Sequence, residues 1–256
     1  MISEKGQHPS PGESMPEDLE LAAKVHYGFL PEDYEDNRLN IAVNLHPLYA
    51  IGGDYCSILP LGKNRLLACI CDAVGHGVSA ALFAARINTY VLTHAKSDLD
   101  LCKLVSGLNA YLCKRLSGTG IYATFYALLL DFEAGTMTLS GAAHPPVLQL
   151  EKGQDRCKEW PSITTFIGMD DPLPLPCGST QLRLNAGDRF LLYSDGLIEV
   201  EDAHAQAFGT KRLSSTLIAN RNLTGQALNK VILMQAEAHA ADGFKDDVLL
   251  ISITLK

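Results

Sequence analysis

Hydrophobic and polar positions change rhythm several times along the chain. Ser14-Met-Pro-Glu17 has the form of a helix-capping box with proline in the first turn, and it leads into LELAAKVHYGFL, which ends at Pro31. Leu19, Ala22 or Ala23, His26 and Phe29 recur there at helical spacing, which predicts a short helix over about 16–29. Its apolar face needs cover, either from the chain's own domain or from a partner helix. From Arg38 the runs shorten to NIAVNLHP, YCSILPL and RLLACICD, with GKN between the last two, and read as strands joined by tight turns. Two helical segments over about 77–116 come next, in which Leu82, Ala85, Leu101, Leu104, Leu108 and Leu112 fall three or four apart and predict a helical layer.

Strand signals resume in YATFYALLLDF, MTLSGAA, PVLQL, TQLRL and DRFLLYSDG, with turn chemistry such as EAGT and NAGD between them. Helices over about 209–220 and 225–240 precede a last strand in DDVLLISITL. Runs of strands and runs of helices, rather than strict alternation, predict an α+β domain with helices outside packed, largely antiparallel sheets.

The 256 residues, 47% of them hydrophobic, suffice for one large core. A formal charge of -8 and a pI near 5.4 argue against a nucleic-acid binder, which needs a basic face to displace counterions. No run approaches the ~20 apolar residues of a membrane span, and Met1 to Pro16 lacks the basic start and apolar run of a signal peptide. Cytoplasmic residence without membrane insertion is therefore expected. Seven cysteines, an odd number without any CxxC pair, read as reduced residues of apolar segments.

Four acidic positions share one local pattern: each sits at the edge of an apolar strand, three of them beside glycines that let other atoms approach. They are Gly52-Gly53-Asp54, Cys71-Asp72-Ala73-Val74-Gly75-His76-Gly77, Ser194-Asp195-Gly196 and Asp246-Asp247. Singly, each has a plainer explanation. Gly-Gly-Asp makes a bulge or turn, Asp-Gly after FLLYS is a hairpin signal, and Asp246-Asp247 can open a strand from a solvated turn. Together they are harder to dismiss, because converging carboxylates repel unless cations compensate. Oxygen ligands without a His/Cys cluster favour Mg2+ or Mn2+ over Zn2+. Gly75-His76-Gly77-Val78-Ser79-Ala80 also reads G-x-G-x-x-A, as at a dinucleotide site, but no second strand ending in an acidic residue follows about 20 positions on.

At these residues the sequence resembles the PPM (type 2C) protein serine/threonine phosphatases, specifically their bacterial SpoIIE-like and RsbU-like branch. The likeness runs from about Leu19 to the C-terminus through LELAAKVHYGFLP, IGGDY, CDAVGHGVSAAL, YATFYALLLD, SGAAHPPVL, NAGDRFLLYSDGLIE, FGTKRL and KDDVLLISI. The resemblance implies an αββα sandwich whose metal site lies at one end of two antiparallel sheets. It divides the chain into a disordered segment over 1–15, a linker helix over 16–37 toward a possible upstream regulatory domain, and a phosphatase domain over 38–256. It also implies two divalent cations, Mn2+ or Mg2+, bridged by Asp72 with the carbonyl of Ala73, one held by Asp54, the other by Asp195 and Asp246 or Asp247, Asp246 being preferred. Three positions depart from the family pattern: Ser57 stands where a second Asp is common, Leu249 where Thr is usual, and Ala143 where Gly is usual.

The ions would activate a water for in-line attack on phosphorus. His76 is a candidate to protonate the leaving alkoxide, or else a surface residue of a loop. His144 reads as a turn residue, and Arg38, Arg65 and Arg86 are candidates to meet phosphate that the sequence does not rank. By the same resemblance the substrate is a phosphoserine or phosphothreonine on an anti-sigma-factor antagonist of STAS type, and the chain is the output part of a bacterial signalling or response regulator, with a possible homodimer through its first helix. The competing class is a pseudophosphatase, a binding switch without turnover.

Overall fold

The computed structural model describes residues 17–116, 118–175 and 177–256. The capping box at Ser14 and the disorder expected over 1–15 lie outside them. In chain order the elements are α1 (Glu17–Tyr27), β1 (Tyr34–Glu35), β2 (Leu39–His46), β3 (Tyr55–Leu61), β4 (Arg65–Ala73), α2 (Val78–His94), α3 (Leu101–Leu116), β5 (Ala123–Asp131), β6 (Thr136–Ala142), β7 (Val147–Leu150), β8 (Lys158–Trp160), β9 (Thr180–Arg183), β10 (Arg189–Tyr193), α4 (Asp195–Ile198), α5 (Gly209–Ala219), α6 (Gly225–His239) and β11 (Val248–Leu255). Every expected strand and helix is present, and β1, β8 and α4 are additional.

The strands form two sheets, in the orders β1-β2-β11-β10-β7-β8 and β3-β4-β5-β6-β9, with every pairing between named strands antiparallel. Strand β4 explains the layering. Its Leu66, Ala68 and Ile70 turn toward the other sheet, against Ile251 and Ile253 of β11, while Leu67, Cys69 and Cys71 turn toward Phe83 and Ile87 of α2 and Leu108 of α3. On the far side, Leu191 of β10 and Leu250 of β11 pack on Leu213, Leu228 and Ile232 of α5 and α6. The result is four layers, αββα. Central strands covered on both faces need apolar side chains at successive positions, which is why they read as unbroken hydrophobic runs. Each fully buried Leu or Ile contributes about 1.5–3 kcal/mol.

Helix α1 settles on its own domain through Ala23, with Leu19 and Tyr27, against Ile51 and Ala81. Leu21 and Val25 on its other face stay 62% and 56% exposed. Leu82, expected in the helical layer, is instead 64% exposed, because α2 turns Ala80, Phe83, Ala84 and Ile87 inward. Among the described residues no helix is long and apolar enough to cross a membrane.

Two of the three departures from the family pattern are accommodated locally, and the third is strained. Leu249 is wholly buried between the sheets. Ser57 is enclosed beside the Tyr55 hydroxyl, which also donates to Asn88 Oδ1 at 3.0 Å. Ala143 has a φ of 51°, in the left-handed region, where a side chain costs about 1–2 kcal/mol, so glycine is the natural occupant.

Candidate metal centre

Antiparallel register carries the acidic residues to shared strand ends. Tyr55 pairs with Cys71, so Asp54, just before β3, lies across from Asp72 near the end of β4. Tyr193 pairs with Leu250, so Asp195, just past β10, comes beside the start of β11 and its preceding Asp246 and Asp247. The two sheets bring these ends together: Asp54 feels the charges of Asp72, Asp247 and Asp195, and Asp72 feels those of Asp195, Asp246 and Asp247.

Glycine is required where the loops close. A Cβ on Gly53 would lie 2.7 Å from the Ala73 carbonyl oxygen and 3.1 Å from Ala80 Cβ. One on Gly52 would strike the Asp247 carboxylate, and one on Gly196 the Asp247 carbonyl. Asp195 itself opens α4 rather than a hairpin, so the hairpin reading of Asp195-Gly196 is corrected.

Burial, reinforced by the charge of Asp195 and then Asp246, pushes Asp72 up to about 7. Asp54 is raised well above the ordinary carboxylate range by burial and then by Asp72, with the Ser194 hydroxyl partly offsetting this. Burial and Asp246 also raise Asp195. Buried Asp54 Oδ2 has no hydrogen-bond partner. Such a set of crowded hard oxygens, with one orphaned and aimed among its neighbours, fits divalent cations of the Mg2+ or Mn2+ kind.

Convergence is incomplete. Among the described residues no three His, Cys, Asp or Glu side chains form a ready-made cage around an ion. Backbone donors hold some of the carboxylates back. Asp247 is buried, and its Oδ1 accepts the Leu48 N–H at 2.8 Å, which ties it to the loop before Asp54. Exposed Asp246 accepts the Asp247 N–H on Oδ1 at 2.7 Å and is thus the freer of the pair.

His76 is exposed, with its ring stacked on Tyr49 at 4.8 Å. His144 is buried rather than a simple turn residue: its Nδ1 is 2.7 Å from Thr124 Oγ1, and burial pushes it down to about 3. Thr124 in turn accepts the Asp72 N–H at 3.3 Å, so a neutral imidazole braces the strand that carries Asp72. Arg38 is committed to Asp36 and Arg65 to the carbonyls of Ser97 and Leu99, and neither is free for phosphate.

Three contributors escaped sequence reasoning. Thr124 is reached only through strand pairing. Ser194 accepts the Leu249 N–H at 2.9 Å and lies beside Asp54. Glu199, raised by burial and by Asp195, follows Asp195 by one helical turn, a spacing that could have flagged it.

Comparison with known proteins gives the same architecture. The chain is 23% identical over 92% of its length to protein IcfG of Synechocystis, and 25% identical over 71% to phosphoserine phosphatase RsbP of Bacillus subtilis. It spans less than half of each, 41% and 45%. The solved SiaA PP2C domain of Pseudomonas aeruginosa superposes with a TM-score of 0.79 at 16% identity, covering 93% of this chain and 95% of that one. RsbX, solved with magnesium, gives 0.67 at 17% identity, covering 88% and 98%. Residues 62–256 match the model described as Stage II sporulation protein E (SpoIIE). The chain belongs to the SpoIIE family, and its fold is that of the PP2C domains on which it superposes.

Proposed function

We propose that this chain is a metal-dependent protein serine/threonine phosphatase whose ions are held by Asp54, Asp72 with the Ala73 carbonyl, Asp195 and Asp246. The observation that carries the reading is that Asp54, Asp72 and Asp195, at neighbouring ends of the two sheets, are all raised by burial and by the charge of nearby carboxylates. Two divalent cations bound there would supply the charge that the carboxylates need and activate water toward phosphorus. The protein's part is to fix the donors. Asp247 and the glycines shape the loop, and Thr124 and His144 brace β4. His76, on the exposed rim against Tyr49, is assigned protonation of the leaving alkoxide.

The favoured substrate is a phosphoserine or phosphothreonine on a small regulatory protein, an anti-sigma-factor antagonist of STAS type, supported by kinship to RsbP. Because the matched region makes up less than half of each curated relative, the chain is read as the output part of a larger signalling protein, cytoplasmic, with residues 16–37 as its linker. Exposed Leu21 and Val25, four residues apart on α1, with Phe29 just past its end, suit a parallel helix pair between two copies. Sedimentation equilibrium is expected to give twice the 27.7 kDa monomer mass, falling to the monomer in Leu21→Glu/Val25→Glu; a wild-type monomer at high concentration refutes the pairing.

Hydrolysis of p-nitrophenyl phosphate tests the activity. Turnover is expected with Mn2+ or Mg2+ and none with chelator. A folded protein without metal-dependent turnover would instead be a pseudophosphatase, a binding switch that keeps the fold.

A further inference from the structure

Two thiols outside the carboxylate pocket face each other where α3 meets the segment leading into β9. Cys177 Sγ donates its S–H to Cys102 Sγ at 2.8 Å, and Cys102 Sγ donates to the Cys177 carbonyl at 3.3 Å. The Ser140 hydroxyl of β6 sits 3.2 Å from Cys177 Sγ. Both cysteines are free and half-buried, and they line a cleft of about 480 Å³ together with Lys103, Ser106 and Leu173. Of the other thiols, Cys56, Cys69 and Cys71 are buried in the core, while Cys113 and Cys157 turn to Asn109 Oδ1 and the Ser214 carbonyl.

We propose that Cys102 and Cys177 are a redox-active dithiol, converted by a small disulfide of the glutathione class into an internal disulfide that clamps the first turn of α3 to the segment before β9. A disulfide bond is about 2.05 Å long, so the sulfurs need to close by less than about 1 Å. Burial, and then the Cys102 sulfur, push Cys177 up to about 12, so it keeps its proton while Cys102 begins the reaction.

Cys102, as thiolate, attacks one sulfur of glutathione disulfide and expels a glutathione thiolate, leaving a mixed disulfide. Cys177 gives up its proton and displaces the second glutathione from Cys102. Two protein S–H bonds and one glutathione S–S bond become one protein S–S bond and two glutathione thiols, and two electrons pass to the oxidant. The cleft admits the reagent, and the geometry favours the second displacement over arrest at the mixed disulfide.

The clamp would secure a segment already held to α3 at another point. Asn109 donates to the Asp170 carbonyl at 2.8 Å and accepts the Gly168 N–H at 2.9 Å. Next to Gly168, Ile167 pairs with Ala123 at the start of β5. A cross-link between residues 75 apart removes much freedom from the unfolded chain.

The test incubates the full chain with glutathione disulfide and follows intact mass, non-reducing peptide maps and melting temperature. The expected result is a loss of about 2 Da, a single Cys102–Cys177 cross-linked peptide, five thiols still alkylated, and a rise in melting temperature of about 5–10 °C that dithiothreitol reverses. Cys177→Ser is expected to stop at glutathione bound to Cys102. Cross-links between other cysteines, a wild-type protein that halts at the mixed disulfide, or an unchanged mass would each overturn the proposal.

Discussion

Asp72→Asn and Asp195→Asn are each expected to lower metal-dependent hydrolysis of p-nitrophenyl phosphate on the order of a thousandfold or more, with the fold intact. The amide keeps the shape of the carboxylate and removes the charge that a hard cation needs. The same change has the opposite sign for the metal-free fold. Above about pH 7 and without metal, Asp72 is ionised against burial and against Asp195, Asp246, Asp247 and Glu199, so at about pH 8 in chelator Asp72→Asn should melt a few degrees higher than wild type. Activity lost and metal-free stability gained is a signature that simple damage to the core does not produce. Near-normal rates in either variant, measured beside circular dichroism and melting curves, would refute the ligand assignment.

The second large effect is an inverted pH dependence of stability. A carboxyl whose pKa is raised by folding binds more protons in the folded state than in the unfolded state. Its contribution therefore falls as pH rises from the unfolded value of 3.8 through about 7, and is flat above that. For Asp72 alone the loss is on the order of 3–4 kcal/mol, and Asp54 and Asp195 shift in the same direction. In chelator, the melting temperature at about pH 7.5 is expected to lie about 5–10 °C below that at about pH 5. Mn2+ at a hundredfold over its dissociation constant should restore about 2.7 kcal/mol at the higher pH and much less at the lower, where protons compete for the ligands. Stability that climbs with pH in chelator, joined to indifference to Mn2+, would mean that the carboxylates do not crowd one another as described.

The fold was largely legible because its central strands are covered on both faces, so β4, β5 and β11 stand out as long apolar runs punctuated by turn residues. The short strand β8 offered no such signal: Lys158 and Glu159 are exposed, and it is held by pairing with β7. Helix α4 was hidden behind Asp195-Gly196, whose glycine serves a close approach to Asp247 and not a hairpin. Of the candidate acidic residues, Asp54, Asp72 and Asp195 stand out along the chain through nearby glycines. Their support was not, since Thr124 touches Asp72 across 52 positions and Ser194 touches Leu249 across 55. The cysteines show the same limit. Cys102 and Cys177 carry no mark of their partnership when read along the chain, because a crossover over the second sheet brings them together.

The outer strands bear on how copies of this molecule can meet. Strand β1 has only two residues, β8 presents charged side chains, β9 exposes Gln181 and Arg183, and β3 carries Pro60, which lacks a donor. None of these borders offers a long flat row of free amides on which a stranger's strand could grow. Fibril-like stacking through the sheet borders is thereby disfavoured, and the sandwich need not be opened or shielded at its edges to stay apart from its neighbours.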